Sequence, residues 1–258
     1  MFVGGENMIK AIFFDIDGTL IQHGDTSMPE STFTSLVKMK EMGIKLFIAT
    51  GRPINTTGHV QAMFDFDGYV CANGQYCVNK EGIIHEQYIP KESLLEIIPY
   101  INEHQIPVVF ASLERSYINK YNKSVYDANW PIVDLYDIVD EKIVQIMAYI
   151  EEKDDDAFLK HLPGCKTARW TPRFADIIPS DGGKEAGIDH VLAHYGISLD
   201  EAMCFGDGGN DITMLRHVPK SVAMGNAEQK VKDSAYYVTT SIKEDGIYKA
   251  LKHFGVLD

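Results

Sequence analysis

Two short apolar segments that each end abruptly in polar residues constrain the fold of this chain most. Residues 9–14 are mostly β-branched or aromatic and stop at Asp15-Ile-Asp-Gly-Thr19. Residues 44–49 repeat this pattern and stop at Thr50-Gly-Arg52. Apolar runs of this length are typical of strands that are buried on both faces of a parallel sheet. The two segments therefore predict an α/β protein.

Helices are predicted after each of these strands. Residues 29–42 carry apolar side chains at helical spacing, with Pro29 in the first turn and Gly43 just past the end. A second helix is predicted over residues 53–64, and a third strand over residues 69–72. Alternating strands and helices with short connections build a parallel sheet with right-handed crossovers.

The alternation of strands and helices stops at Asn73-Gly74 and resumes at Gly183. Between these points, short alternating runs are mixed with amphipathic segments, which is typical of a separate α+β unit. We predict a doubly wound, Rossmann-like parallel-sheet core that is interrupted by an inserted α+β domain. The core is assigned to residues 1–81 and 183–258, and the inserted domain to residues 82–182.

Polar side chains follow three of the predicted strands. They are Asp15 and Asp17 after the first, Thr50 after the second, and Asp207, Asn210 and Asp211 after a strand at residues 202–205. Ligands bind outside the carboxyl ends of the strands in such sheets, so these side chains are expected to converge. Several carboxylates suit a hard cation such as Mg2+, and Lys184 at a helix start adds a positive charge. This combination is typical of a phosphoryl-transfer site.

These motifs resemble those of a known family. The order Asp15-Ile-Asp-Gly-Thr19, Thr50, Lys184 and Gly206-Asp-Gly-Gly-Asn-Asp211 is similar to that of the haloacid dehalogenase (HAD) superfamily of aspartate-nucleophile phosphatases. The insertion between Thr50 and Lys184, preceded by Ala72-Asn-Gly74, resembles the Cof-type branch, which carries a large α+β cap of the IIB class. The segment before Lys184, Pro179-Ser-Asp-Gly-Gly183, departs slightly from the apolar and small residues that usually precede this lysine in the family.

The resemblance implies a role for each motif residue. Asp15 would be the nucleophile, and Asp17 would protonate the leaving group and then deprotonate water. Mg2+ would be held by Asp15, the backbone carbonyl of Asp17 and Asp207, with Asp211 or Asn210 acting directly or through water. The substrate-binding residues would be Thr50, Gly51, Arg52, Asn73, Lys184 and Asn210, with Thr50 and Lys184 also counted as catalytic.

The inserted domain is expected to choose the substrate, because a cap of this class lies over the site and contacts the leaving group. Several side chains in it are candidates for such contacts, and none is assigned individually. These are Arg115, Tyr117, Trp130, Arg169, Trp170, Arg173 and Asp176.

Composition excludes some partners. The formal net charge of −13 argues against nucleic-acid binding, which needs clustered Lys and Arg. No apolar run reaches the roughly 20 residues that a membrane span needs. Four cysteines without a Cys-x-x-Cys pair favour reduced thiols and a cytoplasmic location. We expect a monomer or a weak homo-oligomer.

Three functions stay open at this point. The first is an Mg2+-dependent phosphatase that hydrolyses small phosphorylated metabolites, in particular sugar phosphates, through an aspartyl-phosphate. The second is a phosphomutase or phosphotransferase that uses the same nucleophile. The third is a metabolite-binding protein without turnover, against which the presence of both Asp15 and Asp17 argues, because a binding protein needs no acid/base at position 17.

Overall fold

The structure, a computed structural model, describes residues 8–122 and 130–258 and contains two β-sheets. The larger sheet comprises β1 (Ala11–Phe14), β2 (Lys45–Ala49), β3 (Gly68–Cys71), β4 (Tyr76–Asn79), β5 (Gly82–Glu86), β11 (Ala202–Gly206), β12 (Lys220–Ala223) and β13 (Tyr237–Val238). The smaller sheet comprises β6 (Val108–Ser112), β7 (Ser116–Ile118), β8 (Ile143–Ala148), β9 (Cys165–Thr171) and β10 (Phe174–Pro179).

Eight α-helices accompany these sheets in the described part of the chain. They are α1 (Glu30–Glu41), α2 (Gly58–Met63), α3 (Lys91–Glu103), α4 (Asp155–Leu159), α5 (Lys184–Tyr195), α6 (Ile212–His217), α7 (Gln229–Lys232) and α8 (Gly246–His253). None of these helices combines the length and hydropathy that crossing a bilayer requires.

The larger sheet has the order β13-β12-β11-β1-β2-β3-β4-β5. Strands β13 to β3 in this order pair in parallel, and β3, β4 and β5 pair antiparallel. The predicted α/β fold with a parallel-sheet core is confirmed. The sequence division placed residues 82–86 in the inserted domain, whereas β5 hydrogen-bonds to β4 in the larger sheet, because the two strands form a hairpin.

The predicted helix over residues 53–64 is wrong as a continuous element. The chain forms a 3-10 turn at Ile54–Thr56, leaves helical geometry at Thr57, and then begins α2. The hydroxyls of Thr56 and Thr57 donate to the carbonyls of Pro53 and Ile54. Side chains that bond to nearby backbone in this way compete with a regular helix.

Both faces of the central strands β1, β2 and β11 are buried, as the apolar runs predict. On one face Phe14 stacks on Phe205, with ring centroids 5.1 Å apart, and this face packs against α1 and α8. On the other face Phe13 stacks on Phe47 at 4.9 Å, and this face packs against α5 and α6. Helices on both faces leave the carboxyl edge of the sheet as the place where polar side chains gather.

The smaller sheet packs one face against α3 and α4, where Phe110, Ile146 and Ile177 form part of an apolar core. Its other face is directed towards the carboxyl edge of the larger sheet. The contact is close, because a Cβ atom on Gly209 would lie 2.5 Å from the carbonyl oxygen of Arg169 in β9. Glycine at position 209 therefore lets the two units approach each other.

Candidate active site

The carboxyl ends of three adjacent strands bring the predicted site residues together. Strand β1 lies between β11 and β2 and pairs with both in parallel register. Asp15 follows β1, Thr50 follows β2 and Asp207 follows β11 directly. The three side chains therefore start from neighbouring positions at one edge of the sheet.

Lys184 is buried between two carboxylates at this edge. Its Nζ lies 2.7 Å from Asp15 Oδ1 and 2.5 Å from Asp211 Oδ1, and its side chain has no exposed surface. Burial opposes the charge on Lys184, yet Asp15 and Asp211 raise its pKa above the usual lysine range. The two acids thus favour the charged form of the lysine, and the lysine holds both acids in place.

The acids around Lys184 repel one another. Burial raises the pKa of Asp15 well above its usual range, and the charge of Asp211 raises it further, against the opposing effect of Lys184. Burial and Asp211 also raise the pKa of Asp207 to about 7. One lysine faces three acids here, so a second positive charge at this site would lower the repulsion among them.

The donor set fits a hard divalent cation. Carboxylate oxygens of Asp15, Asp207 and Asp211 all lie within 4.8 Å of one another. Oxygen ligands from a few carboxylates are what Mg2+ prefers in proteins. Asp211 is the most constrained of the three, because its Oδ1 contacts Lys184 and its Oδ2 accepts from the amides of Asp207 and Gly208. Asp211 thus shapes the loop that carries Asp207.

Asp207 is fixed by two side chains that the sequence analysis did not assign. The Thr19 hydroxyl donates to Asp207 Oδ1 at 2.9 Å. Asn226 Nδ2 donates to Asp207 Oδ2 at 3.3 Å and to the carbonyl of Gly18 at 2.9 Å. Gly18 has φ of +90°, and a Cβ there would lie 2.1 Å from Asp207 Oδ2. The threonine and the glycine of the first motif therefore support the acid of the last one.

Asp17 lies outside the group of three acids and pairs with Arg52 instead. Arg52 Nε donates to Asp17 Oδ2 at 2.7 Å, and its second nitrogen donates to Oδ1 at 2.8 Å. The resemblance implied that Arg52 binds the substrate. In this structure it holds the expected acid/base in a bidentate pair, a geometry that fixes both partners in orientation.

Thr50 and Gly51 lie at the floor of the site. Thr50 is buried, its hydroxyl accepts from the amide of Arg52 at 3.1 Å, and its carbonyl accepts from the amide of Asn73 at 3.0 Å. A Cβ on Gly51 would lie 3.0 Å from Asn210 Nδ2. The absence of a side chain at Gly51 thus leaves room for two amide side chains, those of Asn73 and Asn210.

Asn73 connects the core to the smaller sheet. Its Oδ1 accepts from Asn210 Nδ2 at 3.0 Å, and its Nδ2 donates to Gln145 Oε1 at 3.0 Å and to Asp176 Oδ2 at 3.1 Å. Asn73 adopts φ 51° and ψ 42°, the left-handed conformation that asparagine tolerates better than most residues. All four side chains of this network are at least partly buried.

A cavity of about 430 Å³ lies between the two sheets, above these residues. Its core side includes Asp15, Asp17, Thr50 and Asp207. Its other side comes from the smaller sheet and the chain around it, with Trp130, Gln145, Met147, Trp170, Phe174 and Asp176. Of the candidates in the inserted domain, the described lining contains Trp130, Trp170 and Asp176; Arg169 pairs with Asp155 instead.

Comparison with known proteins assigns the chain to a family. The model of the haloacid dehalogenase-like hydrolases matches residues 12–251. The chain belongs to this family. The four motifs predicted a HAD hydrolase of the Cof type, and this prediction is confirmed. The prediction that the chain is a phosphatase is also confirmed.

Several relatives of this HAD hydrolase match nearly its full length. Putative phosphatase YkrA of Bacillus subtilis is 29% identical over 256 residues, covering 96% of this chain and 98% of YkrA. The solved structure of BT4131, described as a HAD subclass IIB sugar phosphatase, has a TM-score of 0.90 at 39% identity and covers 96% of this chain and 100% of its own. That of the phosphatase BT1666 of Bacteroides thetaiotaomicron has a TM-score of 0.91 at 32% identity and covers 100% and 99%.

Proposed function

We propose that this HAD phosphatase hydrolyses small phosphorylated metabolites, with sugar phosphates as the main class, and uses Mg2+ and an aspartyl-phosphate intermediate. The observation that carries the proposal is the buried contact of Lys184 with Asp15 and Asp211 beside Asp207, at the floor of a cavity. Acids gathered around a buried lysine form a site for a phosphoryl group and a divalent cation.

Asp15 is the proposed nucleophile. Lys184 binds its Oδ1 and so orients the carboxylate at the end of β1. The carboxylate attacks phosphorus in line, the bond from phosphorus to the ester oxygen breaks, and an acyl phosphate forms on Asp15. Asp15, Asp207 and Asp211 would hold a divalent cation, which would neutralise charge on the acids and the phosphoryl oxygens.

Asp17 is the proposed acid and base. It gives a proton to the leaving ester oxygen in the first step, and takes a proton from the water that attacks phosphorus in the second step. The second step releases phosphate and restores the Asp15 carboxylate. The bidentate contact with Arg52 fixes the orientation of the Asp17 carboxyl group towards the cavity side that Asp15 also lines.

Thr50 and Gly51 are proposed to bind the phosphoryl oxygens from the end of β2, opposite Lys184. Asn73 and Asn210 lie next to Gly51 and complete this side of the site. The unit around the smaller sheet is proposed as the cap that selects the substrate, since its side chains form the far wall of the cavity.

Two relatives support the proposed substrate class. BT4131 is described as a sugar phosphatase. YitU of Bacillus subtilis, 25% identical over 261 residues, is named 5-amino-6-(5-phospho-D-ribitylamino)uracil phosphatase, so its substrate carries a phosphorylated polyol chain. A cavity of about 430 Å³ is within the usual range for sites that bind molecules of this size.

The proposal is tested by phosphate release from a panel of phosphorylated metabolites, with Mg2+ and with EDTA. We expect turnover that requires Mg2+ and is lost in Asp15→Asn. The matched control is Asp65→Asn, which makes the same change at an exposed acid, and it should behave like the native protein. No phosphate release from any monoester, or turnover that persists in Asp15→Asn, would contradict the proposal. A phosphorylated product in place of free phosphate would indicate a phosphotransferase.

A further inference from the structure

The cap face that lines the cavity contains a buried acid that the proposed catalytic steps do not use. In β8 and β10, Gln145, Met147, Phe174 and Asp176 alternate with residues that pack into the cap core, such as Ile146 and Ile177. Met147 and Asp176 are paired across the two strands. Asp176 therefore stands on the cavity side of the sheet, among apolar and aromatic neighbours.

The carboxylate of Asp176 is only half satisfied. Asn73 Nδ2 donates to its Oδ2 at 3.1 Å. Its Oδ1 is buried and accepts no hydrogen bond from residues 8–122 or 130–258. The residue is 2% exposed. A buried polar atom without a partner is costly, so such atoms in native proteins generally have a role.

Asn73 has no amide hydrogen left for the second oxygen of Asp176. Asn73 has two amide hydrogens, and it directs one to Gln145 and the other to Asp176. Its oxygen accepts from Asn210, which precedes Asp211 in the loop after β11. The network thus holds Asp176 in a fixed position relative to the phosphate side of the site. A molecule in the cavity, which Asp176 lines, can supply the missing donor.

The surroundings of Asp176 indicate what that molecule is. Trp130, Trp170 and Phe174 line the same cavity, and the rings of Trp170 and Phe174 meet edge to face at 5.3 Å. Aromatic walls bind flat apolar surfaces, and a single acceptor among them binds one donor group. A sugar ring offers both features, because its C–H faces are apolar and its hydroxyls donate.

A neutral hydroxyl suits Asp176 better than an ammonium group does. Burial raises the pKa of Asp176 to about 7, so both forms of the carboxyl are present near neutral pH. A hydroxyl donates to the carboxylate and accepts from the protonated acid, whereas an ammonium group can only donate. Lys184 and Arg169 are also close enough to influence Asp176, and their charges would repel a cation.

We propose that Asp176, held by Asn73, is the specificity residue for the leaving group and accepts a hydrogen bond from a ring hydroxyl of a sugar phosphate that lies against Trp130, Trp170 and Phe174. This inference rests on the proposed phosphatase function and deepens it. It assigns the choice between sugar phosphates and other monoesters to one side chain of the cap.

The test compares Asp176→Asn with the native protein on three kinds of substrate. These are the sugar phosphate with the highest kcat/KM, its deoxy analogues that each lack one ring hydroxyl, and p-nitrophenyl phosphate. The assays are run at about pH 8.5, above the pKa of Asp176, so that asparagine is compared with the carboxylate. Asparagine keeps an acceptor for Asn73 but presents a donor where the carboxylate accepts. We expect kcat/KM for the sugar phosphate to fall about 10- to 100-fold. Hydrolysis of p-nitrophenyl phosphate, whose leaving group has no hydroxyl, should change by less than about threefold.

The deoxy analogues give a second measurement, which begins with the native protein. Loss of one particular ring hydroxyl should lower its kcat/KM about 10- to 100-fold, and Asp176→Asn should no longer distinguish this deoxy analogue from the parent sugar. The matched control is Asp140→Asn, which removes the same charge from an exposed cap residue. It should leave every ratio unchanged.

Three results would overturn the inference. One is an equal loss on all substrates in Asp176→Asn, which would indicate a purely structural role. Another is a native protein that treats all deoxy analogues like the parent sugar. A third is a preference for glucosamine 6-phosphate over glucose 6-phosphate by tenfold or more, which would assign Asp176 to an ammonium group. A native protein that hydrolyses no monoester, p-nitrophenyl phosphate included, would instead contradict the proposed function itself.

Discussion

Replacement of Lys184 by methionine is expected to destabilise the protein strongly. The Lys184 ammonium group contacts Asp15 at 2.7 Å and Asp211 at 2.5 Å, and all three groups are buried. Methionine fills similar space but leaves the two acids without this cation. Removal of one partner from a buried ion pair costs about 3 to 5 kcal/mol. For a chain of this size, that corresponds to a melting temperature roughly 6 to 20 °C lower.

The assay is thermal unfolding of Lys184→Met in EDTA, followed by circular dichroism. The control is Lys80→Met, which removes a lysine that is 67% exposed and paired with Asp65, and it should shift the melting temperature by no more than about 2 °C. Mg2+ should raise the melting temperature of Lys184→Met more than that of the native protein, because it restores positive charge near Asp15. A variant that melts like the native protein in EDTA would refute the reasoning.

Three further variants test separate parts of the site. Arg52 orients Asp17, the proposed acid, so Arg52→Gln should lower turnover of alkyl phosphates about 10- to 100-fold. Turnover of p-nitrophenyl phosphate should fall far less, because p-nitrophenolate leaves without a proton. Equal losses in steady-state kinetics would indicate that Arg52 binds the phosphoryl group instead. The pKa of Asp176 rises on folding to about 7, so the native protein loses stability as pH rises from about 4 to 7. Asp176→Asn lacks this loss, so its unfolding free energy, measured by denaturant titration, should gain up to about 4 kcal/mol on that of the native protein over this range. A difference that does not change with pH would contradict the burial of this acid. Gly209→Ala should lower kcat/KM, because the added Cβ would lie 2.5 Å from the carbonyl oxygen of Arg169. The control Gly58→Ala should not, because no other atom lies within 4 Å of the added Cβ. Equal kinetics for both variants would show that the two units are not in close contact at Gly209.

The sequence predicted those parts of the site that follow from the order of strands. Asp15, Thr50 and Asp207 each follow a buried strand, and parallel strands place their carboxyl ends at one edge. No knowledge of side-chain packing was needed for this step. The pairing of Lys184 with the nucleophile was implied by the resemblance to the HAD family, because a position at the start of a helix does not by itself fix the neighbours of a side chain.

Contacts that depend on how the units pack could not be predicted in this way. The pairing of Arg52 with Asp17 depends on the conformation of the chain after β2. The helix predicted over residues 53–64 is interrupted in that same segment. Asn226 lies far along the chain from Gly18, and a single sequence gives no signal that the two meet. Thr19, by contrast, stands inside the first motif, and that position was a usable signal.

The cap residues show the same limit. Asp176 stands in the apolar stretch Phe174–Pro179, and Gln145 stands in Ile143–Ala148. Every residue of both strands is buried, so alternation in the sequence does not reveal which face meets the cavity. The faces are decided by the packing of one sheet against α3 and against the core, which is a tertiary property.

The central claim is that Asp15 becomes phosphorylated during turnover. The most direct measurement is the mass spectrum of Asp17→Asn after rapid mixing with Mg2+ and p-nitrophenyl phosphate, whose leaving group needs no proton, and quenching in acid. This variant keeps the nucleophile but lacks the base that activates water, so the intermediate should accumulate. We predict a mass increase of one phosphoryl group on the peptide that contains Asp15, and none when Asp15→Asn is added to the variant. A phosphoryl group on another residue, or turnover with no phosphorylated protein in the mass spectrum, would contradict the account.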